Sequence, residues 1–404
     1  MVAKEPRRRE TGGDERGMRS AHRELQELID EVCALLDAPA TLEGRDFRLI
    51  AFGAHDSEDE GALDPVRTRS ILRRGSTAAV RTWFEGFGIT TARAPVRIPP
   101  EPSAGVRTGR LCLPVRHGGV VHGYIWLLDD GALALDDPRL TEAMAVARRA
   151  GALLAEEARV GARLGELLRA LLAGHGEEGV AAGAELAEEL GPVAEGPLAL
   201  LAIAPWEVAH ELPASPPGAL ALTALPGQRA GAAWALAALV RPAAARAVAR
   251  RLGAGVGAGA GAGAGAERGA HAGVSAPRHA VAELPAAWPE ALGAARAAGA
   301  SDRFGPLAAW AEIGPYRLLS ALPPRLPPDP AVLPLLRPEH RELAHTAEAF
   351  LDHAGQATRT AESLGIHRQT LYYRISRIEQ LTGLDLNDGE DRLLLHLALK
   401  TAGW

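Results

Sequence analysis

The stretch AESLGIHRQTLYYRISRIEQLTG, residues 361–383, decides how the rest of the chain is read. A single glycine, Gly365, interrupts what otherwise has helical spacing. Residues 357–364 fit one short helix with Ala361 and Leu364 facing inward. After Gly365 and Ile366, His367 stands where a second helix would be capped, although Ser or Asn caps better. In that second helix Leu371, Ile375, Ile378 and Leu381 recur at spacings of four, three and three, which makes one apolar stripe. Glycine suits a tight turn because it adopts positive φ without steric cost. Small Ala361 lets two helices cross closely. These are the requirements of a helix-turn-helix.

The residues off the stripe have the chemistry of a DNA-reading face. Arg368 can bond guanine O6 and N7 in a bidentate way, and Gln369 can do the same to adenine N6 and N7. Thr358, Arg359, Thr370, Tyr372 and Tyr373 can hold phosphates, which sets register. His367, Arg374 and Arg377 complete the candidate DNA-binding set. Between Gly355 and Ile378, four arginines stand against the single acid Glu362, a local balance of +3 in a chain whose net charge is −6. A helical hairpin that merely packs is the competing reading. The charge and the Arg/Gln/Tyr face favour the DNA one.

Working outward, 404 residues imply two to four domains. Hydrophobic residues make up 47% but aromatics only 4%, so Ala, Leu and Val must fill the cores. The overall acidity excludes a wholly basic nucleic-acid coat but not a small basic reading head. Two cysteines, Cys33 and Cys112, make neither a disulfide framework nor a metal cluster, and both read as buried small hydrophobes. No apolar run is long enough to span a bilayer, and residues 1–17 read as a disordered tail rather than a signal peptide. The expected compartment is the cytoplasm.

Residues 18–38 carry a helical stripe of Leu25, Leu28, Ile29, Val32, Leu35 and Leu36. DFRLIAFGAHD is strand-like, and PVRTRSILRR and AAVRTWFEGFGI read as short helices. RLCLPVRHGGVVHGYIWLLDD is the clearest β signal, two apolar strands flanking His117-Gly118-Gly119 as a tight hairpin. Asp136-Asp137-Pro138 opens a helix. Its apolar positions continue from Leu140 to Leu171. They fit either one rod of about 35 residues, roughly 50 Å long, or two core helices broken near Gly161.

In residues 175–322, GPLALLAIAP and GALALTALP read as buried strands and AAWALAALVRPAAARAVARRL as an amphipathic helix. The glycines of GAGVGAGAGAGAGAERGAHAG, residues 253–273, fall on alternate positions and never make the G-x-G-x-x-G of a dinucleotide loop, so a flexible inserted loop is expected. VSAP adds a short strand, followed by two or three helices. The order suits a small sheet with helices on one face. Seven prolines in residues 323–338 mark a linker. The remainder, 339–404, is almost wholly helical.

The C-terminal part resembles the PucR family of bacterial transcriptional regulators, which includes CdaR-type sugar-diacid regulators. The match runs over residues 342–400. The family signature is met by Thr360, Ala361, Leu364, Ile366, His367, Arg368, Thr370, Leu371, Tyr373, Arg374, Arg377 and Ile378. One departure is Gln356, where the family often has Asn. The resemblance implies that the helix beginning near His367 is the recognition helix. It also implies a middle region, 161–322, built on a GGDEF-like domain that has lost its enzyme motif. HAGVSAPRHAVAELPAAWPEALGAARAAG resembles the last strand and helix of that domain, and neither GGDEF nor GGEEF occurs there. Residues 18–160 resemble a GAF-type sensor by element order. The expected fold class is therefore multidomain, with a GAF-like α/β sensor, a degenerate GGDEF-like α/β middle domain and an all-helical helix-turn-helix domain.

HRELAH, residues 340–345, sets its histidines five apart, so they diverge by about 140° and do not match the zinc-protease spacing. Trp83, Phe84, Phe87, His122, Tyr124 and Trp126 could line a ligand pocket, with His117 nearby. No catalytic arrangement, metal site or cofactor is expected. The sequence is thus expected to encode a non-enzymatic, cytoplasmic, ligand-responsive regulator without a membrane segment. Its expected partners are double-stranded DNA, a second copy of itself or a higher oligomer, and an unidentified small-molecule effector. The alternatives are a sensor-controlled protein-interaction module and a nucleotide-metabolising enzyme built on the middle domain.

Overall fold

The computed structural model describes residues 14–53, 78–101, 106, 108–129, 131, 133–206, 212, 216–227, 233–253, 266–322 and 327–402. The expectations for the N-terminal tail to residue 13, for a helix at PVRTRSILRR and for most of the Gly/Ala-rich run lie outside these residues.

The chain begins with α1 (Asp14–Leu36), β1 (Ala40–Gly44), β2 (Leu49–Phe52), α2 (Ala78–Glu85), β3 (Val96–Ile98), β4 (Gly109–His117) and β5 (Val120–Asp129). The five strands form one antiparallel sheet in the order β2-β1-β5-β4-β3. The hairpin is a two-residue turn. His117 pairs with Val120, and Gly118 and Gly119 both have positive φ, 56° and 83°. That conformation matches the strand twist and explains the Gly-Gly. Leu25, Leu28, Ile29, Val32 and Leu36 of α1 are buried on one face of the sheet, as their spacing predicts. The other face carries an aromatic cluster of Phe47, Phe84, Tyr124 and Trp126 under α2.

The helix opened by Asp137 and Pro138 is one unbroken rod. It is α3 (Pro138–Ala173), 36 residues or about 54 Å long. The Asp137 carboxylate accepts the Arg139 backbone N–H at 2.9 Å, capping the free amides of the first turn. Leu140, Ala143, Val146, Ala147, Ala150 and Leu154 complete the first core. Leu167, Leu168 and Leu171 enter a second one. Two glycines let the rod touch backbone on each sheet. A Cβ at Gly151 would lie 2.4 Å from the Arg116 carbonyl oxygen, and one at Gly165 would lie 2.3 Å from that of Leu222. Gly161, between them, has no neighbour among the described residues within 4 Å of such a Cβ and does not break the helix.

Next come α4 (Glu177–Leu190), β6 (Ala199–Trp206), β7 (Ala219–Leu225), β8 (Trp234–Val240), α5 (Ala245–Arg251), β9 (Ala266–Val274), α6 (Leu284–Ala300), β10 (Leu307–Ala309) and α7 (Tyr316–Ser320). The sheet order is β10-β9-β6-β8-β7, antiparallel except for the β9–β10 pair. The run expected as one amphipathic helix over 232–252 is a strand, β8, followed by the short α5. β8 is buried on both faces, which erases the alternation that marks a strand, and Pro242 ends it. The expected flexible loop 253–273 overlaps β9, and VSAP supplies only the last residue of that strand. Gly273 is needed there, because a Cβ would lie 2.0 Å from the Ala295 nitrogen of α6. The helices are not confined to one face either: α3, α4 and α6 cover one side and α5 packs on the other.

The last unit consists of α8 (Arg341–Asp352), α9 (Ala357–Leu364), α10 (Arg368–Thr382) and α11 (Gly389–Ala402). Its core holds Ala347, Phe350, Leu351, Ile378, Leu384, Leu386, Leu395 and Leu399. Val332 and Leu335, from the proline-rich stretch, are fully buried in the same core. That stretch therefore packs against the helical unit over part of its length.

Candidate nucleic-acid interface

The turn between α9 and α10 is built by Gly365, with φ 63° and ψ 31°. Its N–H reaches the Glu362 carbonyl at 3.2 Å, and the Ile366 N–H reaches that of Ala361 at 3.0 Å. This pair of bonds is the Schellman arrangement, which satisfies carbonyls left open at a helix end. Ala361 and Thr360 are buried where α9 crosses its neighbours. Thr360 donates its hydroxyl to the Gln356 carbonyl at 2.9 Å. Gln356 makes no side-chain cap and instead accepts from Arg359 at 3.4 Å.

His367 caps α10, its Nδ1 accepting the Gln369 backbone N–H at 3.3 Å. Accepting at Nδ1 leaves the neutral ring's proton on Nε2, at the protein surface. Leu371 and Ile378 are fully buried and Ile375 is half-buried. Leu381 is only half-buried, and the stripe ends instead on Thr382, whose hydroxyl donates to the Ile378 carbonyl at 2.8 Å.

With those residues held inward, Arg368, Gln369, Thr370, Tyr372, Tyr373 and Arg377 are left exposed on α10, as are Thr358 and Arg359 on α9 and His367 between them. The two tyrosines are 53% and 73% exposed, well above what large rings usually show in a packed domain. Arg368 donates to the Tyr372 hydroxyl at 3.3 Å, and Arg377 to Gln380 Oε1 at 3.2 Å. Arg374 does not share this face. It turns toward α8, donating to Thr346 Oγ1 at 3.2 Å and pairing with Glu342. Its position, three residues after Leu371 and four before Ile378, puts it on the stripe. The same spacing that located the apolar residues locates Arg374.

The aromatic residues singled out in the first unit do gather. Phe84, Tyr124 and Trp126 are buried together, and Trp83 and Phe87 lie beside them. The Phe84 and Trp126 rings are 4.5 Å apart. Phe47, absent from the sequence selection, sits at the centre, 5.2 Å from Tyr124. Only its lone position before a short strand marked it. Among the described residues the buried Trp126 indole N–H has no hydrogen-bond partner. Burial pushes the Tyr124 hydroxyl up to about 12 and raises the Cys112 thiol. Burial and the nearby charges of His117 and Arg45 hold His122 below its ordinary value. Among the described residues no His/Cys/Asp/Glu group could hold a metal ion, and no helix is long and apolar enough to cross a membrane.

Residues 343–401 match the PucR C-terminal helix-turn-helix domain. Over 58 residues the chain is 50% identical to the carbohydrate diacid regulator of Escherichia coli (strain K12), covering 14% of this chain and 15% of that protein. It is 39% identical over 62 residues to the purine catabolism regulatory protein of Bacillus subtilis (strain 168), covering 15% and 12%. It is 41% identical over 63 residues to the transcriptional activator PmfR of Paenarthrobacter nicotinovorans, covering 16% and 13%. These matches span a small part of each relative's length. Among solved structures, a regulator of polyketide synthase expression from Bifidobacterium adolescentis aligns over 60% of this chain and 97% of its own. At 18% identity and a TM-score of 0.27, that likeness carries no weight for the fold. The C-terminal helices are thus a PucR-type helix-turn-helix domain, and the relatives just named are regulators rather than enzymes.

Proposed function

We propose that this chain is a ligand-responsive transcriptional regulator that binds double-stranded DNA through α9 and α10 and has no enzymatic activity of its own. One observation carries the reading: the Gly365 turn and the buried Leu371–Ile378 stripe leave Arg368, Gln369, Thr370, Tyr372, Tyr373 and Arg377 exposed together on one helix. An exposed α-helix of this composition fits the major groove, where Arg and Gln read purines. Thr358, Arg359 and His367, all exposed, would hold phosphates at its flank.

In this reading residues 18–160 form a GAF-like sensor, 161–322 a degenerate GGDEF-like domain and 339–404 the DNA-binding domain, with the proline-rich stretch packed against the last. The aromatic cluster around Trp126 is the proposed effector site; its buried indole N–H, which has no hydrogen-bond partner among the described residues, would donate to an acceptor that enters the cluster. Effector binding would shift the population of arrangements carried by α3. A cytoplasmic dimer or higher oligomer would set two reading heads about 34 Å apart, one DNA turn.

The test is titration of labelled DNA from upstream of the protein's own gene at two salt concentrations, comparing wild type with Arg368→Ala/Gln369→Ala. Each bidentate base contact is worth about 1–3 kcal/mol of discrimination. Binding should weaken with salt, with a log–log slope of about −0.9 per neutralised phosphate, and the variant should lose sequence preference. Salt-independent or absent DNA binding, including in a genome-wide selection, would leave the hairpin as a protein-interaction module.

A further inference from the structure

We infer that Arg374 is a positioning residue: it fixes the rotation of the recognition helix by bridging two acceptors on α8 and does not itself contact DNA. The inference rests on the DNA-binding reading above. Thr346 is fully buried. Its hydroxyl proton is committed, donating to the Glu342 carbonyl one turn back at 2.8 Å. Its oxygen can then only accept. Glu342 lies four residues earlier, on the same face of α8, and adds a carboxylate. Helix α8 thus presents two acceptors in a row and requires a donor-only partner wide enough to reach both.

Arginine meets that requirement, because its planar guanidinium carries separate donors in a fixed fork. One arm of Arg374 donates to Thr346 Oγ1 at 3.2 Å and the other pairs with Glu342. The Arg374 side chain is 18% exposed, against 75% for Glu342. The guanidinium is therefore held in the α8–α10 groove, while the carboxylate comes to it from solvent. Arg368 and Arg377, in contrast, are bonded, among the described residues, only to exposed residues of α10 itself.

The contacts of Leu371 and Ile378 are non-directional and tolerate a small roll of α10. Side chains reach about 5–6 Å from a helix axis, so a 10° roll moves a base-reading atom by roughly 1 Å. A forked, directional bond at Arg374 suppresses that roll. Its contribution is to aim Arg368 and Gln369 more than to global stability, since ion pairs with an exposed partner contribute little.

The discriminating variant is Glu342→Gln in the full chain, titrated with specific and scrambled DNA at two salt concentrations. If Arg374 positions the helix, the ratio of specific to scrambled affinity falls by roughly tenfold, the worth of about one base pair, and the salt slope stays as in wild type. If Arg374 is a phosphate contact held back by Glu342, removing the carboxylate tightens binding to both DNAs and steepens the slope by about 0.9, which overturns the inference. The charge exchange Glu342→Arg/Arg374→Glu gives a second reading. Positioning predicts that it restores the specificity lost in Arg374→Glu alone; a double variant as poor as that single one counts against it. Amide exchange across α10 needs no DNA. It should quicken in Glu342→Gln and recover in the charge exchange, and unchanged exchange refutes the bridge even if the wild-type protein binds no DNA, in which case the DNA-binding reading has failed separately.

Discussion

Replacing Gly365 with alanine isolates the backbone term of the turn. A Cβ there would meet nothing among the described residues within 4 Å, so no steric clash contributes. What remains is the conformation, φ 63° and ψ 31°. An L-residue with a Cβ is disfavoured in that region by about 1–2 kcal/mol. One to two kcal/mol changes an opening equilibrium by roughly 5- to 30-fold. The natural assay is hydrogen–deuterium exchange by mass spectrometry on the full chain, because several cores make a single melting temperature ill-defined. Peptides from α9 and α10 should exchange faster in Gly365→Ala by that factor, while peptides from the two sheets should not change. Gly365→Asn should recover part of the loss, since Asn tolerates the left-handed region better. Equal protection in wild type and Gly365→Ala would refute the reasoning, and so would an Asn variant no better than Ala.

Along α3, Gly165→Ala should destabilise the second unit by about 1–3 kcal/mol, the usual cost of forcing atoms into a packed contact, because its Cβ would lie 2.3 Å from the Leu222 carbonyl oxygen. Gly161→Ala, with open space around it, should instead stabilise the helix by up to about 1 kcal/mol; urea unfolding separates the two signs. Near the C-terminus, Asp352 accepts from His396 at 2.9 Å and from Lys400 at 2.9 Å. Burial alone would raise its carboxyl, but those bonds and charges outweigh it and hold Asp352 at about 2. A carboxyl depressed in the folded state contributes stability that is present above its unfolded value, about 3.9, and lost as pH falls through the folded one. Acid titration of α8–α11 stability should therefore show a loss between about pH 4 and pH 2 that Asp352→Asn reduces.

The parts that could be read in the sequence share a physical cause. Where one face is buried and the other wet, the period survives, as in α1 and α10. Where a turn demands positive φ, glycine announces it, as at Gly118, Gly119 and Gly365. β8 failed on both counts. Alanine and leucine favour helix intrinsically, and burial of both faces removed the alternation that would have overridden that preference. β9 was hidden in a glycine-rich run, because Gly273 answers to the approach of α6, a tertiary contact that no local pattern encodes. On α10, the exposed residues were identifiable from the stripe they avoid. Arg374 shares their charge, but its spacing from Leu371 and Ile378 puts it inside. Charge is a weaker guide than phase.

The rod α3 has a consequence for how this protein could be recombined with others. Its two backbone-touching glycines, Gly151 and Gly165, are 14 residues apart, which is about 21 Å of rise and some 40° short of four full turns. Both docking faces are thus set by one angular count along a single helix. A chimera joined within residues 155–163 keeps that count only if its insertion or deletion comes close to whole turns. Seven added residues would rotate one face by about 20° relative to the other, whereas two would turn it by about 160°. N-terminal halves grafted onto this chain should therefore work or fail with a periodicity near three and a half residues, whatever their own chemistry.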